Sequence, residues 1–281
     1  MAREDGQQIA AQDIPPMFGK TTAFGKKQPQ PASLTQPAGS QRDPEPEFPN
    51  ARKAGKGLMS LGNGMPEPEG AYAQIARLIA NECANCGKVH PETALSSIGA
   101  IAGFSAQQAI REGPIREGKL AANQGFLRAE TKDGGVYYLG GLLTTILSST
   151  QEGHLSIWRL VAGAALNEGA NTLPDLAPLF AASARKIGFK DFGLPVWDTT
   201  GVLMEPPREA LRHWPQVRAV LTEAKIPPLH WPLELGRSAQ VLIGSQKYAI
   251  PPEKAALIIM EAAINMSKID PRSIPCATAD E

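Results

Sequence analysis

The sequence predicts a mainly α-helical fold: a multi-helix domain, orthogonal or bundle-like, with one small β-hairpin at about residues 125–139 and a disordered N-terminal arm. Proline and glycine recur through residues 1–68, whereas apolar residues recur at helical spacing after Gly70. The hairpin is indicated by two short apolar runs that flank Asp133-Gly134-Gly135, a sequence typical of tight turns. Apolar residues make up 42% of the chain, which is enough for a packed core.

The arm is predicted over residues 1–68 because nothing in it repeats with the period of a strand or a helix. Such a segment buries too little apolar surface to offset its ordering entropy, roughly 1–2 kcal/mol per residue. It contains Phe-Gly-Lys twice, at 18–20 and 24–26. Phe18 and Phe24 are therefore candidate docking residues for a partner protein, the alternative being a solvated linker.

Residues 69–281 are predicted to form a single helical domain with eight helices, taken in order from their apolar spacing and their terminal residues. Pro91 is placed to open the second helix at its first position, and Gly99 and Gly103 should let another helix approach closely. Small-residue faces of this kind are also compatible with a homodimer. The helices are expected at about 70–84, 91–111, 142–147, 155–168, 174–187, 207–224, 231–247 and 251–269.

The tripeptide His-Trp-Pro occurs twice, beginning at His213 and at His230. Proline is favoured in the first turn of a helix, and a large apolar residue before it can pack back on that turn. Both copies are therefore interpreted as helix starts, in preference to a catalytic role for either histidine.

Charge and composition exclude several classes of protein. The 28 basic side chains equal the 28 acidic ones, which argues against a dedicated nucleic-acid binder or a protein drawn to acidic lipid. No basic run is visible, although a local basic patch is still compatible with this composition. The N-terminus lacks a secretory apolar segment, the apolar stretches are shorter than a membrane span, and cysteines are few. We expect a cytoplasmic protein without membrane contact.

The stretch Asn81–His90, "NECANCGKVH", comes nearest to a known chemical motif. Its cysteines should end a helix, where the dipole disfavours thiolate, so a redox pair is not expected. Cys83, Cys86 and His90 could instead hold a structural zinc ion, with Cys276 or His154 as fourth ligand. The favoured alternative is a helix–helix corner in which His90 caps the helix that begins at Pro91.

A diffuse set of polar residues could support acid–base chemistry. Glu152 and His154 precede a predicted helix and Arg159 lies one turn inside it, while Lys268 and Asp270 end the last long helix. A carboxylate–histidine pair beside an arginine that holds an anion is a hydrolase-like arrangement. Solvated helix ends and structural ion pairs explain the same residues without catalysis.

Taken together, these patterns predict a non-catalytic module that binds a partner protein or a small ligand, with the N-terminal arm as a docking segment. The alternative is an enzyme with a hydrolase-like site at Glu152, His154 and Arg159. No cofactor is expected in either case, except the structural zinc ion that the cysteines would hold.

Overall fold

The computed structural model describes residues 70–85, 88–197, 203 and 205–274. Within these ranges the fold is mainly α-helical, as predicted, and has two small antiparallel strand pairs. The predicted arm lies outside these ranges. The strand pairs are β1 (Ala84–Asn85) with β2 (Lys88–Val89), and β3 (Leu127–Glu130) with β4 (Val136–Leu139). The α-helices are α1 (Ala71–Glu82), α2 (Pro91–Ile110), α3 (Ala122–Gly125), α4 (Gly141–Ser148), α5 (Ile157–Asn167), α6 (Leu176–Lys186), α7 (Trp214–Glu223), α8 (Trp231–Gln246) and α9 (Pro252–Met266).

The centre of the fold is the pair α2 and α9, which run in the same direction. Gly99 faces the backbone of Ile259, and Gly103 faces that of Ala263 one turn further along both helices. A Cβ on either glycine would overlap a carbonyl oxygen of α9, so only glycine allows this approach. The predicted role of the two glycines is confirmed. Every residue of α2 after Pro91 is buried, as expected for a helix enclosed on all sides.

The other long helices surround this pair. α8 packs against α1, α2 and α5, while α5 and α6 also contact α9. Trp214 and Trp231 begin α7 and α8, so both His-Trp-Pro sequences are confirmed as helix starts. The two indole rings meet edge to face at 5.7 Å, and Trp214 packs in the same way on Phe104 of α2 at 5.5 Å. These aromatic contacts hold the starts of both helices against the core.

The predicted hairpin is confirmed as the pair β3 and β4, with Leu127 opposite Leu139 and Glu130 opposite Val136. Its turn contains Gly134 with a φ of 84°, a backbone conformation that glycine adopts without strain. The Tyr138 N–H donates to the carbonyl oxygen of Lys268 at 2.8 Å. The hairpin is thereby joined to the segment that follows α9.

Two features were not predicted. The ladder of β1 and β2 has two residues in each strand, too few to produce a periodic signal. α2 does not simply end near Arg111 but continues into a π-helical turn over Arg111–Ile115. Among the described residues, no helix is both long enough and apolar enough to span a membrane.

Candidate functional site

The π-helical turn at the end of α2 brings two arginines to one side of the chain. Gly113 departs from helical geometry (φ −93°, ψ −107°), and Pro114 has no N–H to donate. The N–H of Arg116 donates at 3.0 Å to the carbonyl oxygen of Arg111, five residues earlier. In an α-helix, residues five apart point about 140° away from each other. The π turn and the kink at Gly113 change this relation, and such turns are frequent at functional sites.

These two arginines line a cavity of about 680 Å³ between α2, α7, the hairpin and the segment after α9, which we call the arginine pocket. Its wall contains five arginines and only two carboxylates, Glu112 and Asp270. The pocket therefore carries a local excess of positive charge in a chain whose net charge is zero. The five arginines are Arg111, Arg116, Arg128, Arg218 and Arg272.

Arg111 is held in place by aromatic stacking. Its guanidinium carbon lies 4.3 Å from the centre of the Tyr138 ring and 4.9 Å from that of Phe126. The Arg111 Nε–H also donates to Gln107 Oε1 at 3.4 Å. Stacking leaves the edge of a guanidinium group available for in-plane hydrogen bonds, the geometry that carboxylates and phosphates accept. Arg111 is thus oriented for an anion before any ligand binds.

Two buried hydrogen-bond donors at this site have no protein acceptor. They are Nη2 of Arg111 and the side-chain amide nitrogen Nε2 of Gln108, both of residues that line the arginine pocket. A buried donor without a partner costs about 1–3 kcal/mol. Since both groups only donate, what they lack is an acceptor.

Three of the other arginines already have acidic partners. Arg218 Nη2 lies 3.1 Å from Glu112 Oε2, and Arg272 Nη2 lies 3.1 Å from Asp270 Oδ2. The Asp270 carboxylate raises the pKa of the Arg272 guanidinium further above its usual range. Arg128 contacts Glu130 on the same strand. Neither Arg111 nor Arg116 makes an ion pair with any residue in the described part of the chain.

The residues predicted for acid–base chemistry do not meet in this pocket. His154 is exposed, and its Nδ1 lies 3.1 Å from Gln151 Oε1. Arg159 donates from Nη1 to the carbonyl oxygens of Gln151 and His154 at 2.8 and 3.1 Å. These bonds hold the loop before α5 together, and no ion pair joins Arg159 to Glu152 in the described ranges. A hydrolase-like site at Glu152, His154 and Arg159 stays a prediction, and no contact among the described residues adds support for it.

The polar residues after α9 separate into two environments. Asp270 lines the arginine pocket, whereas Lys268 is buried beneath α6. Lys268 Nζ donates to Ser183 Oγ at 2.9 Å and to the carbonyl oxygen of Ile264. Burial lowers the pKa of Lys268 to about 7, because the charged ammonium loses its hydration. Glu168, at the far end of α5, forms an ion pair with Lys247 at 2.8 Å, which is a structural contact.

The corner after α1 has the geometry expected of a helix connection. Cys83 is buried and its thiol lies 3.7 Å from Ser97 Oγ, and burial raises the pKa of that thiol, which disfavours the thiolate that zinc requires. His90 caps α2, since its Nδ1 accepts the Thr93 N–H at 3.3 Å. A neutral imidazole has one acceptor nitrogen, so the cap competes with metal binding.

Zinc binding itself stays a prediction. Cys86 and Cys276 lie outside the described residues, and within the described ranges no group of three metal-ligating side chains comes together. Phe18 and Phe24 also lie outside those ranges, so docking through the arm is likewise untested.

His213 belongs to a second buried polar cluster. Its Nε2 lies 3.5 Å from Glu205 Oε2 and its Nδ1 lies 4.0 Å from Glu82 Oε2, while Arg212 also contacts Glu205. Burial lowers the pKa of His213 and the positive charge of Arg212 lowers it further, although Glu82 opposes both. The cluster ties the end of α1 to the start of α7, which is a structural role.

The sequence alone did not reveal the arginine pocket. Its arginines come from α7, the hairpin and the segments after α2 and α9, so they form no run. The available signal was the pair Arg111 and Arg116 around Gly113-Pro114, where a helix must deviate. Comparison with known proteins found no matching family model, no matching curated protein and no matching solved structure.

Proposed function

We propose that this protein is a non-catalytic binding module whose ligand is a small anionic organic molecule held in the arginine pocket. The observation that carries the proposal is the pair of buried, unpartnered donors on Arg111 and Gln108. An oxyanion would supply the acceptor that both lack, and hydrogen bonds to charged groups stabilise a complex by about 1.5–3 kcal/mol each.

The size of the cavity supports a small organic ligand. Sites for such molecules have volumes of about 300–1,000 Å³ and combine apolar walls with a few placed polar groups. The arginine pocket, at about 680 Å³, has the rings of Phe104, Tyr138 and Trp214 in its wall beside the arginines. A bare inorganic anion would leave most of this volume empty.

The location of the ligand follows from the charges. Arg111 is the stacked arginine, and no carboxylate among the described residues neutralises it. An anion beside it is screened less than one in open water, which strengthens the attraction. We place the module in the cytoplasm, an expectation that rests on its few cysteines.

Isothermal titration calorimetry of the full chain with pyrophosphate, at low ionic strength, tests the proposal. We expect Arg111→Gln to weaken binding by about tenfold or more, since it removes both the charge and the guanidinium fork. Arg111→Lys, which keeps the charge, should fall between the wild type and Arg111→Gln. Arg185→Gln is the matched control, because it removes the same charge from an exposed position on α6 outside the pocket.

Thermal unfolding of each variant separates binding from folding. An Arg111→Gln protein that unfolds like the wild type but binds weakly supports the site. If the wild type binds neither pyrophosphate nor a small organic phosphate such as glycerol 3-phosphate, the proposal is wrong, as it is if Arg111→Gln and Arg185→Gln lose affinity equally.

A further inference from the structure

The arginine pocket has an inner end and a rim with different properties. Phe104 and Gln108 of α2 and Arg111 at the start of the π turn are spaced by four and three residues and form the inner end. Phe104 is fully buried, Gln108 is nearly so, and Nη2 of Arg111 is enclosed. At the rim, Arg116, Arg128 and Arg272 are exposed.

The arginines of the pocket differ in whether an acidic side chain neutralises them. Arg128 and Arg272 at the rim are paired with Glu130 and Asp270. Of the five arginines that line the pocket, Arg111 at the inner end and Arg116 at the rim have no acidic partner among the described residues. One molecule that satisfied both would need two negative groups.

Arg111 and Arg116 stand on either side of Gly113 and Pro114, and both line the arginine pocket. The Arg116 N–H donates to the Arg111 carbonyl oxygen, so the two residues are joined across the π turn. The irregular backbone between them therefore lies beside two cations that share one cavity.

We infer that the ligand carries two separate anionic groups, the inner one bound by Arg111 and Gln108 and the outer one by Arg116. A small phosphorylated carboxylic acid is the class of molecule that this arrangement fits. The inference rests on the proposed function, because it specifies the ligand of the same pocket.

A pair of probes with the same three-carbon skeleton tests it. Glycerol 3-phosphate carries one anionic group, and 3-phosphoglycerate carries a carboxylate in addition. We expect calorimetry on the full chain to show that 3-phosphoglycerate binds about tenfold tighter, as one additional charge-assisted contact allows. In Arg116→Gln this advantage should disappear while glycerol 3-phosphate binds within about twofold of its wild-type affinity.

Two further measurements separate this inference from the proposed function. Arg111→Gln should weaken both probes together, and Arg185→Gln, away from the pocket, should change neither. Equal wild-type affinities for the two probes, or an advantage that persists in Arg116→Gln, would overturn the two-group ligand and leave the anion site standing. If neither probe nor pyrophosphate binds, the proposed function itself is wrong.

Discussion

The middle turns and the C-terminal end of the α2–α9 pair differ in how closely the two helices pack and in which side chains lie between them. In the middle turns, Gly99 and Gly103 bring the helix backbones into direct contact, and no space remains for a side chain. At the shared C-terminal end, Gln107 Nε2 donates to the carbonyl oxygens of Ser267 and Ile269 at 3.1 and 3.0 Å. Beyond this link lie a stacked guanidinium, a buried lysine and a cavity.

The difference shows why the charged groups collect where they do. Parallel helices end together, and their C-termini carry partial negative charge that favours nearby cations such as Arg111 and Lys268. The close-packed turns keep the pair rigid, so unpartnered donors can be held in fixed positions at its end. The close helix contact and the candidate site thus lie at different turns of the same two helices.

The largest effect is expected from Gly103→Ala, which tests the close-packed turns. The new Cβ would overlap the backbone of Ala263, which cannot move as a flexible side chain could, so unfolding free energy should fall by about 3 kcal/mol or more. Gly163→Ala is the control, since it sits within α5 with open space around it and should gain up to about 1 kcal/mol. Urea unfolding of both variants measures the difference, and equal stabilities would contradict the packing argument.

A smaller effect should come from Lys268→Met, which tests the buried cation. With its pKa lowered to about 7, folded Lys268 binds fewer protons than the unfolded chain between about pH 7 and its ordinary value of 10.5. The buried ammonium group therefore lowers the unfolding free energy most below pH 7. This destabilisation decreases as the pH rises through that window, by roughly 1 kcal/mol per pH unit.

The measurement for Lys268 is urea unfolding of wild type and variant at pH 7, 8 and 9. Lys268→Met should be the more stable protein at pH 7, and its advantage should decrease at each higher pH. Lys132→Met, at an exposed position in the hairpin turn, should follow the wild type throughout. A pH-independent difference between wild type and Lys268→Met would show that the lysine is not held neutral by burial.

The smallest effect on stability is expected from Gln108→Met, which tests the unpartnered donor. Removing a buried donor that has no acceptor should leave the unfolding free energy unchanged or raise it by up to about 1 kcal/mol, while pyrophosphate binding weakens severalfold. Gln240→Met is the matched comparison, because Gln240 Nε2 donates to the carbonyl oxygen of Leu160 at 2.9 Å. That variant should lose about 1 kcal/mol. A loss of stability in both variants would mean that Gln108 serves the fold.

The features that the sequence predicted are those that depend on local patterns of residues. Pro91 and the two His-Trp-Pro tripeptides mark helix starts, and Asp133-Gly134-Gly135 marks the hairpin turn, because each pattern acts within a few residues. The spacing of Gly99 and Gly103 likewise predicted a close helix contact, although it could not name α9 as the partner.

The candidate site depended on contacts that no local pattern encodes. Asp270 was identified as a polar residue at the end of the last long helix, but its association with arginines from the π turn and the hairpin follows from packing. Arg159, grouped by sequence with Glu152, instead donates to two loop carbonyls. Side chains from distant segments are brought together only when the helices pack, so their grouping is invisible along the chain.

By itself, the sequence determined the helical class, most helix starts, the hairpin and the glycines of the central contact, because hydrophobic period, proline and glycine act over a few residues. Only the tertiary structure decided that five scattered arginines share one cavity and that α2 continues into a π turn between Arg111 and Ile115. The physical reason is distance along the chain. A local excess of positive charge depends on which helices pack at that place. It cannot be read from a total charge of zero.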